Sequence, residues 1–234
     1  KILKNIVICE ALLHDAGKLS KEFFEYMDDI RINGETARKR IIDHTSAGGR
    51  ILVKLIGKNV TSEFIGTAVY SHHGLQDCIN MESGNTLFEK RQEKEIEFET
   101  IQQRYFKIID KTILKKYLAA AHDDLQNILQ QIDNFVYCTT GRNCGNRDFY
   151  FGMFERLALS VLIDSDWTDT ACFCQGETHP ERISEERTQE IWKDSIVHFE
   201  DYMEHLTASG GKSPLNVYRN EISDLCFKAA AEAN

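Results

Sequence analysis

Apolar positions along this chain fall into helical rows separated by short polar breaks. Ile2, Leu3, Ile6, Val7, Cys9, Ala11, Leu12 and Leu13 predict a first, largely buried helix, with Gly17 as its stop. Phe23, Phe24 and Met27 predict a short second helix, and the polar run 28–40 predicts a loop. After His44, either Thr45 or Ser46 is the expected cap of a helix carrying Ile51, Leu52, Leu55 and Ile56. Ser62 is the expected cap of the next helix, whose apolar side is Phe64, Ile65, Ala68 and Val69 and which ends at His72-His73-Gly74.

Farther along, the pattern weakens and then returns. Residues 80–103 are charged and weakly periodic, with Glu89, Lys90, Arg91, Glu93, Lys94 and Glu95, and read as an exposed helix or a mobile charged insertion around 80–105, a solvated face being the plainer reading. The stretch 108–135 is helical in pattern and has no breaker, whereas 138–147 holds Gly141, Asn143, Gly145 and Asn146 and predicts a loop. A strongly apolar helix over 149–163 delivers Asp164, Ser165 and Asp166 just beyond its end. Ile191, Trp192, Ile196, Phe199, Tyr202, Met203 and Leu206 mark a long amphipathic helix, Ser209-Gly210-Gly211 a break, and 217–233 a final helix. No stretch alternates with period two and none repeats, so the expected fold class is all-α. The two prolines, Pro180 and Pro214, leave long stretches before residue 180 without a proline break.

Composition narrows the classes. The 234 residues, 42% hydrophobic and 28% charged, fit one sizeable globular domain, or one domain with a large insertion. No apolar run reaches the roughly 18 residues of a membrane helix. The opening stretch carries Lys4 and Glu10 and is no signal peptide, and the absence of an initial Met points to a missing natural N-terminus. A formal net charge of −9 argues against a broad basic face for gripping duplex DNA, though local cations and a metal centre can still hold a phosphodiester. The seven cysteines contain no Cys-x-x-Cys pair, which fits a reduced, cytoplasmic protein with free thiols. Cys138, Cys144, Cys172 and Cys174 are a conceivable zinc set, but their spacing matches no standard knuckle. Gly211-Lys212-Ser213 imitates the tail of a phosphate-binding loop. That motif would need glycine where Leu206 stands, and a strand where a helix is predicted.

The candidate chemistry lies in His14-Asp15, His44, His72-His73 and Asp166, each at a predicted helix boundary. Taken singly, each is ordinary: a lone lysine such as Lys18 is usually solvated, and a histidine pair at a helix end is usually a cap. Brought together, they form a pocket of imidazole and carboxylate donors. That donor set suits manganese, iron, cobalt, nickel or zinc better than magnesium or calcium. Asp15, directly after His14, is the natural bridge between two ions. Two such ions about 3.5–4 Å apart can activate a water and stabilise charge at phosphorus. Lys18 can meet a phosphate oxygen or the leaving oxygen. His122, His179, His198 and His205 lack comparable partners and read as ordinary residues.

Leu12-Leu13-His14-Asp15-Ala16-Gly17-Lys18 resembles the signature of the HD superfamily, in which the His-Asp pair binds metal. Asp43-His44-Thr45-Ser46-Ala47-Gly48-Gly49, Ser71-His72-His73-Gly74-Leu75 and the stretch 162–170 are similar to the HD nuclease domain of CRISPR-associated nuclease-helicases, as is 215–222 to the lead-in to their helicase domains. The resemblance spans nearly the whole chain and is weakest over 80–147. It implies a helical bundle with a metal site at converging helix ends, which nicks and degrades single-stranded DNA with two divalent transition-metal ions. It places Asp15, His44, His72 and His73 around one ion and His14, Asp15 and Asp166 around the other. Asp166 is preferred to Asp164 because it aligns with the family's Asp-Trp step. In the family a further histidine from an earlier helix completes the second ion, and no histidine precedes His14 here.

The resemblance also implies an HD nuclease domain over 1–207, lacking its first N-terminal helix, and a lead-in helix over 208–234 toward a helicase region. The implied partners are single-stranded DNA, the helicase domains of the same parent protein and an RNA-guided surveillance complex, with no membrane. Arg38, Lys39 and Arg40 are candidate backbone contacts, or simply a solvated loop. Two other readings share the motifs. An HD phosphohydrolase acting on nucleotides or cyclic nucleotides would need a closed nucleoside pocket, and a non-catalytic helical interaction domain would carry a degenerate metal site.

Overall fold

A computed structural model describes residues 3–34, 42–74, 86–140, 144–178, 183–209 and 214–232, and the regular elements within them are all helices. Ile6, Cys9 and Leu13 recur along one face of α1 (Lys4–Leu13) and are wholly buried. Packed around α1 are α3 (Ser46–Ile56), α4 (Val60–Ser71), α7 (Lys111–Thr140) and α8 (Cys144–Gln175). Leu114, Leu118, Ala121, Leu125 and Ile128 form the facing stripe of α7, stepping by three and four residues as a helical seam requires. Full burial of each such leucine or isoleucine contributes roughly 1.5–3 kcal/mol. The expected all-α class is borne out.

Several helix ends differ from expectation, each for a local reason. Gly17 does not end α1, which stops at Leu13; it lies in a 3-10 turn (Ala16–Leu19). Glycine is needed there because its N–H donates to the His44 carbonyl at 3.2 Å, and an added Cβ would collide with the His44 backbone. α2 (Lys21–Asn33) is longer than expected and absorbs 28–33 of the expected loop. Polar residues do not stop an exposed helix; Gly34, at φ 54°, does. Neither Thr45 nor Ser46 caps α3 with its side chain: the Asp43 carboxylate accepts both of their backbone N–H groups at 3.0 Å. Asn59, not Ser62, caps α4, with Ser62 as the reciprocal partner of the capping box.

The charged stretch expected as a solvated insertion is packed instead. It forms α5 (Leu87–Gln92) and α6 (Phe98–Ile108) and buries Phe88, Ile101 and Tyr105. Phe88 lies against Tyr70, and the Tyr105 hydroxyl donates to the Leu12 carbonyl at 2.9 Å. Three buried side chains among many charges are too sparse to register as a period, yet they suffice to dock the segment. Residues 80–85 of that stretch lie outside the described residues, as do Arg38, Lys39, Arg40, His179 and Gly211-Lys212-Ser213.

α7 runs to Thr140 and α8 starts at Cys144, so 138–140 and 144–147 of the expected loop are helical, and 141–143 lie outside the described residues. Asp166 lies within α8, not beyond its end. Asp164 and Ser165 do not break the helix: Ser165 Oγ donates back to the Val161 carbonyl at 2.7 Å.

The chain divides into two compact units, Lys1–Thr178 and His179–Asn234. The second contains α9 (Glu185–Ser209) and α10 (Pro214–Glu232). The expected domain 1–207 therefore spans the first unit together with most of α9. Among the described residues, no helix is long and apolar enough to cross a membrane.

Candidate metal centre

The packing of α1, α4 and α8 brings three stretches of helix to one place. His14 follows the last residue of α1, and Asp15 turns the chain into the 3-10 segment. His72 and His73 follow α4, Asp166 projects from α8, and His44 comes from the short segment before α3. These side chains meet in two groups that share Asp15: Asp15, His44, His72 and His73 in one, and His14, Asp15 and Asp166 in the other. Within each group the donor atoms lie within 4.8 Å of one another.

His14 Nε2 is 3.2 Å from Asp15 Oδ2 and 3.4 Å from Asp166 Oδ1, and His72 Nε2 is 3.8 Å from Asp15 Oδ1. His44 Nε2 and His73 Nε2 stand 2.5 Å apart. Lys18 Nζ donates to Asp15 Oδ2 at 2.5 Å. All six residues expected as ligands thus converge, with Lys18 beside them. Asp164 is exposed and belongs to neither group. Among the described residues, the groups able to hold a metal contain no cysteine. His122 Nδ1 pairs with Thr61 Oγ1 at 2.7 Å, and His205 Nδ1 with the Asp201 carbonyl at 2.7 Å.

The rings are set for ligation. Nδ1 of His14, His44 and His72 lies 2.8, 3.2 and 2.7 Å from the carbonyls of Ala11, Ile42 and Val69. A carbonyl only accepts, so each Nδ1 carries the proton and each Nε2 keeps a lone pair turned into the cluster. His14 Nε2, Asp15 Oδ1 and His72 Nε2 are buried and have no hydrogen-bond partner among the described residues. Leaving such an atom unpaired costs about 1–3 kcal/mol, and a cation between them would satisfy all three. The residues present therefore fit a metal.

Electrostatics agree. Burial works against charge on Asp15, but the adjacent His14 ring and the Lys18 ammonium outweigh it and hold this carboxyl well below the usual carboxylate range. Burial pushes His72 down to about 4, with His73 and His14 adding to the effect. His73 is pushed down by burial and then by His44. For His14, burial is outweighed by Asp15, the Ala11 carbonyl and Asp166, which raise it. At neutral pH the site offers an anionic Asp15 carboxylate and neutral imidazoles at His72 and His73, forms in which these groups bind a metal.

Asp43, Arg91 and Lys94 form a charge cluster beside His44 that has no counterpart in the expected site. The position of Asp43 directly before a candidate ligand is the one signal that could have found it. A family model described as Cas3, HD domain, matches residues 1–140. No curated protein and no solved structure matches the chain. The matched segment contains His14, Asp15, Lys18, His44, His72 and His73, whereas Asp166 lies beyond it and joins the cluster through the fold.

Proposed function

Because this chain belongs to the family of Cas3 HD domains, metal-dependent nucleases of CRISPR systems, we propose that it cuts single-stranded DNA endonucleolytically at the cluster centred on Asp15, using two divalent transition-metal ions. The observation that carries this reading is the pair of donor groups sharing one carboxylate, with three buried donor atoms left unpaired. Asp15, His44, His72 and His73 would hold one ion, and His14, Asp15 and Asp166 the other. The mixture of imidazole and carboxylate favours manganese, iron, cobalt, nickel or zinc. When bound, such ions supply an activated water and neutralise charge developing at phosphorus.

The residues of the chain divide the remaining work. Asp15 is held anionic by His14 and Lys18 and so serves both groups. The neutral His72 and His73 present lone pairs instead of competing charge. The Lys18 side chain, 42% exposed, bridges the partly buried Asp15 carboxylate and solvent, where its ammonium would meet a phosphate oxygen of the strand. The group of three donors would leave an ion held there accessible to water and a phosphate oxygen. A net charge of −9 suits an enzyme fed its strand by other parts of a larger assembly. We assign that supply to helicase domains of the parent protein and to an RNA-guided surveillance complex.

The test is cleavage of circular single-stranded DNA by wild type and Asp15→Ala, with bound metal measured on both. Wild type should linearise the circle and Asp15→Ala should not. Equal cutting by both proteins contradicts the reading, and turnover of nucleotides without DNA cleavage would replace it with a phosphohydrolase.

A further inference from the structure

His44 is carried by a short non-helical segment, whereas the other five candidate ligands sit on helices or directly at their ends. The segment is gripped from two sides. On one side the Gly17 N–H holds the His44 carbonyl. On the other is Asp43, whose side chain is only 10% exposed. Its Oδ1 accepts the N–H groups of Thr45 and Ser46 at 3.0 Å, and the Thr45 hydroxyl at 3.3 Å.

Capping α3 needs no more than that oxygen. The second, Oδ2, accepts Ser46 Oγ at 2.7 Å, Lys94 Nζ at 2.5 Å and Arg91 Nη1 at 3.3 Å. Arg91 also reaches Thr45 Oγ1 at 3.1 Å and Ser46 Oγ at 3.5 Å. Two cations from the far end of α5 and the turn after it are thus fastened to the residue next to a ligand. Because Asp43 directly precedes His44, fastening its carboxylate restrains the backbone that carries the imidazole.

We propose that Asp43, clamped by Arg91 and Lys94, is a positioning residue that fixes His44 against His73, so that the group of four donors depends on charges that are not ligands and the group of three does not. The inference rests on the metal-centre reading above. Lys94→Met with Arg91→Met removes the cations and leaves both cap bonds of Asp43 in place, and Lys94→Met alone is the milder variant. Asp43→Asn keeps the capping oxygen and removes the charge.

The 234-residue chain is titrated with Mn2+ and free ion is followed by electron paramagnetic resonance. Wild type should take two ions. The double variant should hold one of them about 10–100-fold more weakly, the scale for losing an outer partner of a metal ligand, and the other unchanged. His44→Ala should weaken the same ion, and adding it to the double variant should bring little further loss. Lys94→Arg should restore binding. A merely structural role would lower the melting temperature without separating the two ions. Wild-type affinity at both sites in Lys94→Met and in the double variant overturns the inference and leaves the metal centre standing, as does equal weakening of both sites. A wild type that binds fewer than two ions overturns the two-ion reading and this inference with it.

Discussion

Two acids on or beside α1 show opposite outcomes of burial. Glu10 lies one turn below His14, fully buried, and neither of its carboxylate oxygens has a hydrogen-bond partner among the described residues. Desolvation, with the charge of Glu155 adding to it, pushes it up to about 8. Asp15, at the mouth of the same helix, is also largely enclosed, but Lys18 donates to it and the His14 ring lies beside it, and it stays ionised. Depth alone neutralises a carboxyl, and depth with cationic neighbours makes it a ligand. Only the second acid is in a state to grip a metal at neutral pH.

The largest expected effect is at the ionised acid. Asp15→Asn keeps the shape and removes the charge common to both donor groups. Cleavage should fall by a factor on the order of 10³ or more, since several kcal/mol of charge stabilisation are lost, and metal analysis should find both ions gone. Retention of both ions in Asp15→Asn would break the contrast with Glu10.

Glu10 yields a pH signature of the opposite sign. Its folded value lies above that of an unfolded glutamate, so the folded state holds a proton the unfolded state has released. Its contribution is complete below about pH 4.5, falls as pH rises, and is lost once pH has passed about 8. In chelator, wild-type melting temperature should therefore decline across that window by an amount equivalent to a few kcal/mol, and Glu10→Gln should flatten the decline. The slope is the diagnostic, because a buried amide brings donors of its own to satisfy. An identical slope in both proteins would show that Glu10 is ionised and paired. Asp15, with a depressed folded value, contributes only to the acid side, and its stability is lost as pH falls below the ordinary carboxylate range.

Smaller still is Lys18→Ala, with an expected 10–100-fold loss of turnover, comparable with or somewhat below the loss of one transition-state hydrogen-bond donor, and unchanged metal content. Loss of metal in this variant would show that Lys18 acts chiefly through its support of Asp15 and not on the reacting phosphate.

Much of this architecture is legible in the sequence because apolar periodicity reports which face of a helix is buried. It does not report where helices stop or what docks between them. Asp166 was expected beyond a helix end, but α8 continues through it, since no residue there breaks the backbone. The segment holding Phe88, Ile101 and Tyr105 was expected in solvent, because three anchors among charges leave no period to detect. The ligand set was readable from the His-Asp and His-His pairs with their family resemblance, and the geometry assembles the same six residues. The clamp of Arg91 and Lys94 on Asp43 was not readable, because a charge pair across unrelated positions leaves no local trace.

The most direct measurement is a crystal structure of the manganese-soaked protein with anomalous differences recorded at the manganese edge. Two peaks should flank the Asp15 carboxylate, one among His44, His72 and His73 and one between His14 and Asp166. Peaks only elsewhere, or none within coordination distance of Asp15 in fully soaked crystals, would contradict that arrangement.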